Sequence, residues 1–466
     1  MPIFIYNSLT RKKDKFVPVC GHQVKMYTCG VTVYDACHIG HARSLFIFNL
    51  IRRYLKYRGF KVSFVRNITD IDDKIINRAN ELKIDWKELV VKYIASYNQD
   101  LEFLGVEKGD FEPRATENIA EMIGYIQELI KKGFAYACAG DVYFDVRKFK
   151  EYGKLSGQSI DAMHSGVRIE LAESKNDPLD FALWKRSKEN EPFWPSPWGN
   201  GRPGWHIECS VMSQKFLKTQ TLDIHAGGRD LIFPHHENEL AQSEAYSGKL
   251  FAKYWMHHGL LTINGQKMSK SLGNFITIKD FMTKYHNAEL LKFFFSTAHY
   301  SHSIDYSDAK IQESKQALGR INIFMEKANL VKPGFVAKFL KLLPKEVALL
   351  KTKFIAALDD DFNTPEALAC IFELVNLGNK NINNKNFVYS TKNILNEMLE
   401  ILGISLKSVK IDSGMSEEEI KLKIQSRVDA KKSKNYALAD QIRKELEDKG
   451  VILEDTKDGP TWRRKL

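Results

Sequence analysis

Between Val24 and Val65 the apolar pattern switches from strand-like to helical and back, and this narrows the possible folds more than any other feature of the chain. Val24–Cys29 reads as a short strand. Ala42–Arg58 then carries Leu45, Phe46, Phe48, Ile51, Tyr54 and Leu55 close to helical spacing, with Gly59 placed to end it. Phe60–Val65 alternates as a second strand. Parallel strands need a crossover, so strand, helix and strand in succession predict a parallel, doubly wound α/β sheet.

Further helices are expected over Trp86–Leu104 and Thr116–Lys132, and a strand over Asp141–Val146. Residues 147–203 read as irregular, because they hold five of the thirteen prolines, four of them in PFWPSPWGNGRP. That is the composition of an insertion or surface lobe. A second sheet-forming half starts near Trp205. Beyond Tyr306, amphipathic segments over Gln312–Asn329, Lys345–Leu358 and Pro365–Leu377 predict an all-helical bundle. The expected limits are 1–306 for the α/β part with an insertion over about 110–202, then 307–405 for the bundle and 406–466 for a charged C-terminal region.

With 466 residues and 44% hydrophobic content, the chain can bury a sizeable core. No uninterrupted apolar stretch reaches the roughly 18 residues of a membrane span. Met1–Thr10 has neither a basic n-region nor an apolar h-region, so a cytoplasmic protein without membrane contact is expected. Six cysteines, at 20, 29, 37, 138, 209 and 370, include no CxxC pair and are too sparse for a disulfide framework. Any metal site has to be assembled from distant segments. The net charge of +11 favours a polyanionic partner such as nucleic acid.

CHIGHARSLF, starting at Cys37, places His38 and His41 on one face at a helix N-terminus, where free backbone N–H groups attract a phosphate. Gly40 between them would let a flat ring such as adenine approach the backbone. GQKMSKSLGN, Gly265–Asn274, holds Lys267 and Lys270 in a glycine-flanked loop able to bring two charges to a triphosphate. Taken alone, the histidines could equally be helix caps and the lysines a solvated loop. In this order, however, the two motifs resemble the paired signatures of class I aminoacyl-tRNA synthetases. That resemblance implies a split, Rossmann-like nucleotide-binding domain with an insertion between its halves.

FPHHENELA, Phe233–Ala241, is dense in possible ligands. With Pro234 in the first turn of a helix, His235 and Glu239 share a face, while His236 and Glu237 are rotated away. Cys29 and Cys209, expected at the ends of sheet strands, could complete a zinc site. A surface His235–Glu239 pair with separate packing cysteines fits the spacing as well. YTCGVTVYDACHIGH, NITDIDDKI, GWHIECS, GGRDLIFPHHENE, KMSKS and the terminal WRRK are similar to the cysteinyl-tRNA synthetases over essentially the whole chain.

The resemblance implies ATP-dependent attachment of cysteine to tRNA(Cys) through an adenylate, by a monomer. It implies one zinc ion on Cys29, Cys209, His235 and Glu239, reading the thiol of cysteine. Packing alone separates residues that differ by one atom by only roughly 1–3 kcal/mol. Four protein ligands normally close a zinc site, so the ion must become five-coordinate or Glu239 must loosen. His38, His41, Lys267 and Lys270 would stabilise growing charge together with Mg²⁺. Gly40, Asp230 and Lys270 would meet the nucleotide, and Gly30, Thr69 and Trp205 the amino acid. Residues 406–466 are only mildly basic, but Trp462 beside Arg463 and Arg464 offers a stacking face with cationic donors, as unpaired anticodon bases require. Asp440 and Asp455 are weaker candidates there. A ligase joining cysteine to an amino sugar would need no anticodon reader, and a non-catalytic zinc-dependent RNA-binding paralogue would need no adenylation residues.

Overall fold

Four parallel strands form the central sheet, in the order Ala252–His258, Leu222–Gly228, Gln23–Thr32, Lys61–Thr69. The computed structural model describes residues 1–160, 175–269, 272–331, 343–406, 416–449, 451–456 and 459–464. Helix Ile39–Tyr57 connects the first pair of strands, and helix Glu237–Ser247 the second. The two halves wind outward in opposite directions from Gln23–Thr32 and Leu222–Gly228. Such a switch of direction opens a crevice beyond the C-terminal ends of the two middle strands. The register between Gln23–Thr32 and Lys61–Thr69 slips between Thr28 and Val31, so Cys29 and Gly30 occupy a bulge at that edge. Bulges re-aim side chains, and this one lies beside the crevice.

The stretch expected to be irregular carries strands instead. Phe181–Arg186 and Gly201–Pro203 pair with Ala135–Cys138 and Asp141–Phe144 in a four-stranded antiparallel sheet. Pro203 ends an edge strand, where a missing N–H does no harm, so its proline content misleads. Trp184 opposite it is fully buried. Helix Asp73–Leu82 was also not expected; Asp72 caps it by accepting the Lys74 N–H.

Helices Asp308–Leu330, Lys345–Asp359, Thr364–Lys380 and Lys385–Ile401 follow. Ser307, Asn363 and Asn384 cap three of them, and Pro365 sits in the first turn of the third. The chain divides into two compact units, Met1–Ile404 and Ser405–Leu466. The second packs Ile420, Ile424, Ile442, Leu446, Val451 and Leu453 from two helices and a hairpin. Among the described residues no helix is long and apolar enough to cross a membrane.

Candidate active site

Both middle strands and two helices converge on one buried cluster. Cys29 comes from the bulge, His235 and Glu239 from the segment after Leu222–Gly228, and Cys209 from helix Trp205–Leu217. Cys209 is therefore helical and not at a strand end as expected. One ligand atom from each of the four lies within 4.8 Å of all the others. Tetrahedral zinc, with bonds of about 2.3 Å to sulfur and about 2.0 Å to nitrogen, sets S–S and S–N edges near about 3.8 and 3.5 Å. The two sulfurs are 3.8 Å apart, and Cys209 Sγ is 3.6 Å from His235 Nε2. Those edges fit a metal. Glu239 Oε1, by contrast, is 2.7 Å from His235 Nε2, a hydrogen-bond distance shorter than the N–O edge of about 3.4 Å. Glu239 can share an ion with His235 only after moving away from it.

The local geometry of FPHHENELA also differs from the expected one. The α-helix begins at Glu237, and Pro234, His235 and His236 lie in a wider turn, Ile232–His236, in which Phe233 is extended. His235 and Glu239 still meet, but His236 does not turn away. Its Nε2 is 3.3 Å from Cys29 Sγ, and its Nδ1 is 2.8 Å from His257 Nε2. Cys29, His225, His236 and Glu239 thus form a second, overlapping set of possible ligands. Glu237 is buried and has a structural task, accepting the backbone N–H groups of Gly153 at 3.0 Å and Ser156 at 2.7 Å.

Neighbours hold these ligands in place, as metal ligands require. His225 Nε2 donates to Glu239 Oε2 at 2.6 Å, and His206 Nδ1 is 3.0 Å from His235 Nδ1, leaving the opposite ring nitrogen to face the sulfurs. The Trp205 ring stacks on His235 with centroids 4.0 Å apart. Burial opposes the charged form of Glu239, yet His225 and His235 hold its carboxyl well below the ordinary range. Burial likewise works against His235, but Glu239 and Cys209 bring it up to about 10. Burial pushes the Cys29 thiol up. His206, His225 and His257 are not singled out from the sequence, and His236 is set aside there.

Beside this cluster the two signature segments are joined by backbone. Ile39 N donates to Ile276 O at 3.0 Å and Ile278 N to Cys37 O at 2.9 Å. His38 caps helix Ile39–Tyr57, its Nδ1 accepting the N–H groups of Gly40 and His41, while His41 Nδ1 accepts the His38 N–H. The rings stack 3.7 Å apart. Capping and function are compatible: with both Nδ1 atoms accepting, each neutral ring carries its hydrogen on Nε2. Burial lowers His38 to about 4 and holds His41 well below the ordinary imidazole range, so both rings are neutral donors at neutral pH. A Cβ at Gly40 would lie 2.8 Å from the His38 ring, so any side chain there would press on the capping histidine. Asp230 is exposed in the turn after Leu222–Gly228, and its charge opposes the His38 shift. Lys267 is exposed on strand Gln266–Lys267; Lys270 lies outside the described residues.

Gly30 and Thr69 flank the cluster. Gly30 N donates to Asn67 Oδ1 at 2.9 Å, and a Cβ there would collide with the Asn67 carbonyl, so only glycine fits. In the C-terminal unit Trp462, half-buried, is partly committed to the small core and pairs with Leu453 across the hairpin. Asp440 is exposed on helix Tyr436–Asp448; the side chains of Asp455, Arg463 and Arg464 lie outside the described residues.

A parallel sheet with a switch-point crevice, capped by a neutral histidine pair and bonded to a lysine-bearing segment, defines the catalytic core of a class I aminoacyl-tRNA synthetase. Residues 15–316 match the family described as "tRNA synthetases class I (C) catalytic domain", and 353–407 the DALR domain. The Mycobacterium tuberculosis methionyl-tRNA synthetase in complex with methionyl-adenylate shares the fold, with TM-score 0.62 and 14% identity over 84% of this chain and 92% of that one. Sequence relatives are closer. The "Cysteine--tRNA ligase" of Clostridioides difficile (strain 630) is 49% identical over 465 residues, 99% of both chains. That of Anoxybacillus flavithermus (strain DSM 21510 / WK1) is 47% identical over 473 residues, all of both chains. The chain belongs to the cysteine-tRNA ligase family.

Proposed function

We propose that the chain activates L-cysteine with ATP and transfers it to tRNA(Cys), using a zinc ion held by Cys29, Cys209, His235 and Glu239 to recognise the substrate thiol. The observation that carries this reading is the pair of cysteine sulfurs at a tetrahedral edge, buried beside the junction of the two signature segments. Zinc supplies a soft Lewis acid that binds a thiolate far better than a serine hydroxyl. His225 holds the other oxygen of Glu239 at 2.6 Å, so Glu239 would keep a partner and not become an unpaired buried charge if it were not bound to the ion.

The chain's own groups then do the rest. The neutral His38 and His41 Nε2–H groups, with Lys267, Lys270 and Mg²⁺, meet the charge that grows on the α-phosphate as the cysteine carboxylate attacks and pyrophosphate leaves. Asp230 lies near the nucleotide ribose, Gly30, Thr69 and Trp205 line the amino-acid pocket, and the C-terminal unit reads the tRNA through Trp462, Arg463 and Arg464, with Asp440 and Asp455 in support. The protein acts as a monomer in the cytoplasm, and its free cysteines support the reducing compartment. Metal analysis combined with pyrophosphate exchange across cysteine, serine and methionine tests the proposal. One zinc per chain and exchange with cysteine alone are expected; exchange at equal rates with serine, or full activity without metal, would refute it.

A further inference from the structure

Glu208 lies one residue before Cys209 and is fully buried, yet neither the thiolate cluster nor the adenylation residues use it. Burying a carboxylate is costly unless it has a partner. Its Oε2 has one, accepting the Thr69 hydroxyl at 2.8 Å, while its Oε1 has none among the described residues.

The bond to Thr69 ends a relay that starts at a backbone N–H. The Gly30 N–H can only donate, so Asn67 Oδ1 accepts it at 2.9 Å and the amide's Nδ2 faces Thr69 Oγ1 at 3.2 Å. Nδ2 can only donate, so Thr69 accepts there, and with Glu208 Oε2 accepting at 2.8 Å the Thr69 hydrogen is taken by Glu208. A hydroxyl oxygen has two lone pairs, and only one is taken by Asn67. Thr69 is thereby locked as an acceptor. That matters because an amino-acid substrate brings an α-ammonium group, which has three donors and no acceptor.

We propose that Glu208 is a positioning residue for the substrate's ammonium group: by taking the Thr69 hydroxyl hydrogen, it keeps a lone pair of Thr69 available to bound cysteine. Without it, the hydroxyl is free to rotate and present its hydrogen to the ammonium. The inference rests on the cysteine-pocket reading above.

The test compares two ligands of the zinc-loaded full-length protein by calorimetry: L-cysteine, and 3-mercaptopropanoate, which keeps the thiol and carboxylate but lacks the ammonium. Glu208→Met is expected to raise the Kd for cysteine about 10- to 100-fold and to leave that for 3-mercaptopropanoate unchanged. Thr69→Val should give the same selective loss, and the double variant no more than either single one. Glu208→Gln keeps an acceptor oxygen for Thr69 and should bind cysteine as the wild type does. Glu208→Asp, whose oxygens are drawn back from Thr69, should show the cysteine-only loss if Glu208→Met fails to fold. Equal weakening of both ligands, or unchanged cysteine binding in Glu208→Met or Glu208→Asp, would overturn the proposal. Failure of the wild type to bind either ligand would instead overturn the cysteine pocket itself, so the two failures are distinguishable.

Discussion

The thiolate cluster and the histidine pair with its lysines lie at the same edge of one sheet but are built in opposite ways. In the cluster Cys209, His235 and Glu239 are buried side chains, tied by hydrogen bonds to further histidines. The second site is held by backbone: Ile39 and Ile278 lock its segments together, the histidines bond only to the helix terminus, and Lys267 remains in water. On the proposed reading, selectivity would be set by charges fixed in a low-dielectric interior, where a misplaced ligand is costly, and phosphate contact would be left to exposed cations whose field is screened until a nucleotide covers them.

Disrupting the cluster should have the largest effect. Cys209→Ser is expected to lower cysteine-dependent pyrophosphate exchange on the order of 1,000-fold, since a site built on one specific contact loses most of its discrimination with that contact. Metal content, measured on the same sample, should fall with it. Retention of both would remove Cys209 from the ligand set. The histidine pair calls for a finer substitution. His38→Asn keeps an N-cap acceptor but loses the ring Nε2–H, so it should preserve the melting temperature and zinc content while slowing single-turnover adenylation about 100-fold. Were the rate unchanged, His38 would be a cap and nothing more.

The same contrast explains what could be read from the sequence. The histidine pair was legible because helix caps are local, and the segment from Val24 to Val65 because its periodicity is local. Parts of the cluster were not. His225 faces Tyr27 and Trp255 across the sheet, and Cys29, Gly227 and His257 lie two residues further along their three strands. That row is visible only once strand order and register are known, and neither is encoded in any single stretch. The same limitation hid Glu208, whose partners Thr69 and Asn67 are far away in sequence. Helical phase put His235 and Glu239 side by side, as they lie in the structure, but turned His236 away, whereas it faces Cys29, because the segment ahead of Glu237 is a wider turn and not an α-helix. In the insertion, proline content outweighed a weak strand pattern.

Acid should affect both regions through stability. Burial lowers His38 and His258 to about 4. In the unfolded chain they take up protons near about 6.5. Between those values the unfolded state binds more protons, so stability is fully present above pH 6.5 and is lost as pH falls toward 4. Metal-free protein melted at pH 7, 5.5 and 4.5 should show a progressive fall, less steep in His38→Asn. A flat profile would mean that these rings are hydrated.

The smallest effect on the chemistry is expected from substitutions in the second unit, Ser405–Leu466. Trp462 is half-buried against the small core formed by Ile420, Leu446 and their neighbours. Trp462→Ala should therefore act twice within this unit, removing buried apolar surface and any stacking on an unpaired base. Charging of tRNA at limiting concentration is expected to fall about 10-fold, in line with one lost stacking contact. Cysteine-dependent pyrophosphate exchange should stay at the wild-type rate. Trp462→Phe separates the two contributions, because it restores much of the packing and a smaller stacking face, and so should recover protease resistance of the unit more fully than tRNA charging. If Trp462→Ala slowed exchange as well, the division between a catalytic unit and a separate reader would fail.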